Sequence, residues 1–194
     1  MRKEIIPSAE SIAASALKAR TNNNLPPVHL WDPPFCGNLD IRIKRDGTWF
    51  YLGTPIGRKE LVKLFSSILK KEGKDYFLVT PIEKVGITVE DAPFLAVDFE
   101  SIGKVDDPIL RFETHVGDFS VAGADNFIRV ENNFKTGEPA PYIHVRAGLE
   151  ALIDRKTFYR LVDVGHYAIY QQEQWFGVTS QKIFFPIIRA VELN

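Results

Sequence analysis

Residues 33–58 read PPFCGNLDIRIKRDGTWFYLGTPIGR, and their pattern sets the plan for the rest of the chain. Leu39, Ile41 and Ile43 alternate with Asp40, Arg42 and Lys44, the period-two signature of a half-buried strand with a charged outer face. Asp46-Gly47 is a strong hairpin signal. Thr48–Leu52 returns as a second strand, bulky on both faces and therefore expected to be covered on both. Gly53–Gly57 breaks that strand. A helix is then predicted from Arg58 to about Glu72, with Leu61, Val62, Leu64, Phe65, Ile68 and Leu69 on its apolar face and Gly73 as its C-cap.

Outward from this stretch the rhythm continues. Strands are predicted at 75–80, 85–89, 93–100, 109–114, 119–122, 127–131 and 142–145, with turn residues every 8 to 12 positions. Gly86 marks a bulge or a close approach. Residues 132–141 read as a polar hairpin loop. A second helix is predicted from Gly148 to about Val164, ended by Gly165, followed by strands at 167–170, 175–179 and 183–188. On the N-terminal side, 28–34 reads as extended because residues before proline are pushed out of the helical region. Thr21–Pro27 reads as a linker, and 8–20 as a short Ala-rich helix capped by Ser8 that needs something to lean on.

Two segments share one order. FYLGTPIGRKELVKLFSSILKKEG and YIHVRAGLEALIDRKTFYRLVDVG each run from an aromatic strand through a glycine-containing turn and a helix to a closing glycine. Two related halves are one reading, and the common strand–helix–strand order arising by coincidence is the other. If the halves are related, the groove between them is the natural place for a ligand. The fold class expected is α+β: bent, mainly antiparallel sheets or half-barrels, two main helices and a short N-terminal helix. Its parts are residues 1–26 (helix and linker), 27–100 (first half) and 101–194 (second half).

Composition narrows the function. Lys plus Arg is 24 against 25 Asp plus Glu, a net charge of −1, which argues against a nucleic-acid binder or a polybasic membrane anchor and makes self-association, such as a homodimer, easier. With 194 residues the chain can bury a sizeable core without metal or disulfide. A single cysteine excludes an internal disulfide and fits a reducing compartment. The N-terminal stretch, interrupted by Glu4 and Glu10, reads as lacking a signal peptide, and no window is apolar enough to span a membrane. A cytoplasmic protein is the expectation.

The segments Pro33–Gly37, Asp40–Ile43, Asp46–Tyr51, Pro55–Arg58, Thr80–Ile87, Asp91–Phe94, Tyr142–Arg146 and Gly148–Leu152 resemble a bacterial family known as domain of unknown function 1285. The resemblance spans about residues 27–188. It implies a small bacterial α+β protein and supplies no activity.

No complete catalytic or metal-binding set stands out. Cys36 lacks a histidine at diagnostic spacing, and His29, His115, His144 and His166 are scattered, so neither metal nor cofactor is expected. Several cations do stand at element ends. Arg58 follows GTPIG at a helix start, where it and the helix amides suit an anion. Arg146 holds a comparable place in the second segment. Arg42 lies on the charged strand face, within reach of Asp40 or of Glu83 and Lys84 across the strand, and Lys84 follows a turn. His144 alternates with Tyr142 and Arg146, and reads either as an anion-contacting residue or as a core histidine. The leading expectation is a non-enzymatic binding, sensory or signalling module for a small anionic molecule held near Arg42, Arg58, Lys84, His144 and Arg146. The alternatives are a hydrolase using Cys36 or His144, and an oligomeric scaffold.

Overall fold

A computed structural model describes residues 6–19, 25–104, 106–132 and 137–193. The chain divides into two compact units, Met1–Pro93 and Phe94–Asn194.

The first unit begins with helix α1 (Ala9–Ala19), then β1 (Phe35–Ile43), β2 (Trp49–Tyr51), β3 (Thr54–Pro55), helix α2 (Lys59–Ser67), β4 (Leu69–Glu72), β5 (Asp75–Val79) and β6 (Lys84–Val89). They form one six-stranded sheet in the order β3-β2-β1-β6-β5-β4. Only the β1–β6 pair is parallel. Leu39, Ile41 and Ile43 of β1 are buried while Asp40 and Arg42 between them are exposed, as the alternation demands. Asp46 accepts the Thr48 N–H and shapes the hairpin turn. Trp49 stacks on Phe65 of α2 with ring centroids 6.3 Å apart, tying helix to sheet. Gly86 is a close approach: a Cβ there would stand 2.2 Å from Asn38 Oδ1.

In the second unit come β7 (Phe94–Lys104), β8 (Asp107–Thr114), β9 (Phe119–Val121), β10 (Ile128–Asn132), β11 (Pro139–Arg146), β12 (Leu149–Ile153), helix α3 (Arg155–Asp163), β13 (His166–Tyr170), β14 (Glu173–Ser180) and β15 (Ile183–Arg189). One sheet runs β10-β11-β12-β7-β8-β9 and a second runs β13-β14-β15. The larger sheet curls into a half-barrel. Ser120 on its far edge strand donates to the His144 carbonyl of β11 at 2.7 Å, closing most of the width. The buried Ser180 of β14 accepts the Leu110 N–H at 2.9 Å and donates to Ala122 O at 2.7 Å, fastening the small sheet to the large one.

The duplication is present down to the dihedrals. β1-β2-β3-α2-β4-β5-β6 and β10-β11-β12-α3-β13-β14-β15 follow the same order. Leu52 and Gly53 turn β2 into β3 with φ of 48° and 74°, and Ala147 and Gly148 turn β11 into β12 with φ of 47° and 76°. Positive φ at both central residues is the type I′ hairpin turn. Each turn leads to a nine-residue helix. The copies differ in closure, since β1 pairs with β6 while, among the described residues, β15 pairs with β14 alone.

Several sequence expectations need correction. The first helix stops at Ser67, and 69–72 is strand rather than its last turn. Ser66 Oγ bonds Lys63 O and Ser67 Oγ bonds Leu64 O, at 2.9 Å and 2.6 Å, competing with the helical ladder where it ends. Gly73, with φ of 61°, is then a hairpin tip and not a helix cap. The second helix starts at Arg155, because the Asp154 side chain accepts the Thr157 N–H at 2.7 Å and caps it there. Residues 149–153 are instead a strand with buried Leu149, Ala151 and Ile153. Val28–Leu30 is a short 3-10 helix rather than extended chain. Leu52, expected to be covered, is 65 % exposed at its turn. Within the linker expected at 21–27, and in the loop at 132–141, residues 21–24 and 133–136 lie outside those described.

Candidate functional site

α1 carries alanines where a larger stripe would have closed it onto α2. Ile12 and Ala16 are buried, while Ala13, Ala14 and Leu17 line an open groove of about 720 Å³ in the first unit. The opposite wall is Tyr51 together with β3 and the Ile56-Gly57 segment that follows it, and Leu61, Leu64 and Phe65 of α2 contribute its apolar surface. Small side chains on one helix facing large ones on the other leave space that neither element fills.

The charged groups of the groove are Arg58, Glu10 and Glu60. Arg58 is the N-cap residue of α2, in extended conformation, and its side chain makes no capping bond. Among the described residues Arg58 has no carboxylate partner. The Glu10 carboxyl is held below the usual carboxylate range by its own backbone amide and the Ser8 hydroxyl. Glu10 therefore remains a carboxylate near neutral pH.

The other four candidate residues stand elsewhere in their units. Arg42 reaches Glu90 at 4.0 Å, not Asp40, Glu83 or Lys84. Lys84 Nζ bonds Glu72 at 3.1 Å and sits over the Phe77 ring at 5.1 Å. His144 stacks on Phe127, with centroids 5.6 Å apart, and both of its nitrogens are engaged. Nδ1 lies 2.9 Å from Asn126 Oδ1, and Nε2 accepts the Gly148 N–H at 3.0 Å. Arg146 follows a β-bulge after His144, pairs with Asp118 at 2.7 Å and lies over Phe94. Arg58 is thus the candidate that lines the groove. The Cys36 thiol donates to Pro34 O at 3.3 Å. Among the described residues, no cluster of His, Cys, Asp or Glu could hold a metal ion, and no helix is long and apolar enough to cross a membrane.

Reading the sequence missed Tyr51, Leu61, Phe65 and the alanine face of α1 as groove walls. The available signal was the thin Ala-rich stripe of α1, too small to cover a neighbouring helix.

A family model described as domain of unknown function (DUF1285), N-terminal domain, matches residues 26–92. A second, protein of unknown function (DUF1285), C-terminal domain, matches residues 93–187. The crystal structure of a DUF1285 family protein from Silicibacter pomeroyi DSS-3 is 56% identical to this chain, with a TM-score of 0.85, covering 94% of this chain and 97% of that one. A DUF1285 family protein from Shewanella baltica OS155 is 31% identical, with a TM-score of 0.52, over 64% of this chain and 91% of that one. No curated protein matches.

Proposed function

The chain belongs to the DUF1285 family, and from its groove we propose a non-enzymatic module that binds a small molecule with an apolar body and one anionic head. The observation that carries this is the pairing of apolar walls with a guanidinium that has no carboxylate partner among the described residues: Arg58 lines a groove whose apolar walls include Ala13, Tyr51, Leu61 and Phe65. A carboxylate or similar monoanion matches one free arginine. Glu10 and Glu60 at the same groove repel a polyanion such as a triphosphate, since like charges at short range oppose binding. The remaining cations of the earlier set, Arg42, Lys84, Arg146 and the ring of His144, would act on such a ligand only indirectly, through the framework they support. A sensory or signalling role is the use that a binding module without chemistry of its own would serve.

The test is a thermal-shift and calorimetric screen of the full chain against medium-chain monocarboxylates, with the matching alcohols and with inorganic triphosphate as contrasts. Carboxylates are expected to raise the melting temperature, alcohols less, and triphosphate not at all. Arg58→Ala should remove the difference between acid and alcohol. Binding that is unchanged in Arg58→Ala ends the assignment of the head group.

A further inference from the structure

Sheet edges expose unpaired backbone groups, and proteins guard them by shortness, charge or proline. The five other edges here are each guarded in one of these ways. β3 is two residues long and contains Pro55, and β9 has three residues. β4 carries Lys70, Lys71 and Glu72, and β10 carries Arg129 and Glu131. β15, the other edge of the three-stranded sheet, contains Pro186. The edge strand β13, HYAIY, has five residues, no Lys, Arg, Asp, Glu or Pro, and two exposed apolar side chains on one face: Tyr167 at 55 % and Ile169 at 74 %. Its counterpart in the first half of the duplication is the charged β4. One copy of the repeat keeps its edge protected and the other leaves it open.

We propose that β13 is the contact through which two copies of this chain pair, antiparallel, about a two-fold axis at Ala168. The backbone polarity fits this register. Gln171 and Gln172, with φ of 51° and 69°, form the two-residue turn into β14, so Tyr170 and Glu173 face each other as a hydrogen-bonded pair. Alternation then turns the N–H and C=O of Ala168 and His166 into β14, and those of Tyr167 and Ile169 out of the edge. A two-fold axis at Ala168 sets Tyr167 opposite Ile169 of the second copy, and Ile169 opposite its Tyr167. The four outward groups of each strand thereby bond one another, with the two Ala168 residues as the non-hydrogen-bonded pair at the centre.

The side chains agree with the backbone. An aromatic residue faces a β-branched one at both outer positions, a favourable cross-strand pair. His166 faces Tyr170, so no like charges oppose. The net charge of −1 sets no long-range barrier between identical copies. A peptide of unrelated sequence would satisfy the backbone equally but would have no reason to match Tyr167 and Ile169. A second copy does so by symmetry. The contact is a single strand pair, so it is expected to form at high micromolar concentration and to dissociate on dilution.

The experiment measures the mass of the full chain in solution across a dilution series, by light scattering or sedimentation. The natural chain is expected to shift from two copies to one on dilution. Ile169→Lys, which puts a charge at an exposed site, should remain one copy throughout while its circular dichroism and melting temperature stay unchanged. Ala168→Cys in a Cys36→Ser background should cross-link under mild oxidation, because residues in a non-hydrogen-bonded pair lie close enough for a disulfide. Gln172→Cys in the same background should not. A chain of single-copy mass at every concentration overturns the proposal. So does a dimer that Ile169→Lys leaves intact, or cross-linking of Gln172→Cys in place of Ala168→Cys.

Discussion

The Nε2 of His144 accepts the backbone N–H of Gly148 at 3.0 Å across the turn that joins β11 to β12. A backbone N–H can only donate, so Nε2 is unprotonated and the ring proton sits on Nδ1, 2.9 Å from Asn126 Oδ1. The imidazole therefore fastens two loops. His144→Phe keeps the stack on Phe127 but leaves the Gly148 N–H and the Asn126 oxygen without this partner. We expect a loss of about 1–2 kcal/mol in urea unfolding. His144→Gln, which retains a donor and an acceptor, should lose less. Equal losses in both variants would show that the ring's shape, not its hydrogen bonds, is what matters.

The matched turns make a paired prediction. Leu52 and Ala147 occupy left-handed conformations that disfavour residues with a Cβ, each followed by glycine. Asn tolerates that region, and Asn-Gly is the preferred type I′ pair. Leu52→Asn and Ala147→Asn should each stabilise the fold by about 0.5–1 kcal/mol. Gly53→Ala and Gly148→Ala should each destabilise it by about 1 kcal/mol. Denaturant melts of the four variants check both the sign and the parity between the halves.

Glu72 supplies a pH dependence. Hydrogen bonds from Lys84 and then Lys70 hold its carboxyl below the ordinary value of 4.5. A carboxyl depressed in the folded state stabilises the protein above its unfolded value and loses that contribution as the pH falls through the folded one. The natural chain should therefore exceed Glu72→Gln in stability above about pH 4.5, and the gap should narrow on acidification below it. The gap should also shrink in high salt, because the Glu72 carboxylate is in part open to solvent. Melting temperatures of the two chains between pH 7 and pH 3 measure it.

Filling the groove separates folding from binding. Ala13 is only partly buried and lines the open space beside Tyr51 and Leu61. Ala13→Phe should change stability by less than about 1 kcal/mol, since it extends into a cavity and displaces no packed atom. Any carboxylate-induced rise in melting temperature should disappear with it. A retained rise would place the ligand elsewhere in the chain.

Much of this was legible in the residues themselves. The alternation of Leu39, Ile41 and Ile43, the Asp46-Gly47 turn, the closing Gly165 and the parallel between the two glycine turns are local signals, and each reappears in the fold. What failed did so where two periods overlap. Leu149, Leu152 and Ile153 fit a helix stripe, and Leu149, Ala151 and Ile153 fit a strand face equally well. Over five residues the two patterns cannot be told apart. Asp154 offered a cap, but a capping aspartate is informative only once the segment before it is known not to be helical.

The sequence alone determined where the chain turns and which faces are apolar, because those depend on contacts within a few residues; it raised a repeated supersecondary unit as one of two readings, and the matched strand order and turn dihedrals decided for it. The tertiary structure decided that 69–72 and 149–153 are strands, since only pairing with β5, and with β7 and β11, gives their backbone groups partners. It also decided that Arg58 lines a groove while Lys84, His144 and Arg146 are held by Glu72, Gly148 and Asp118. A cation's availability is set by what folds up beside it, and those neighbours lie 4 to 28 residues away along the chain for the three that are engaged.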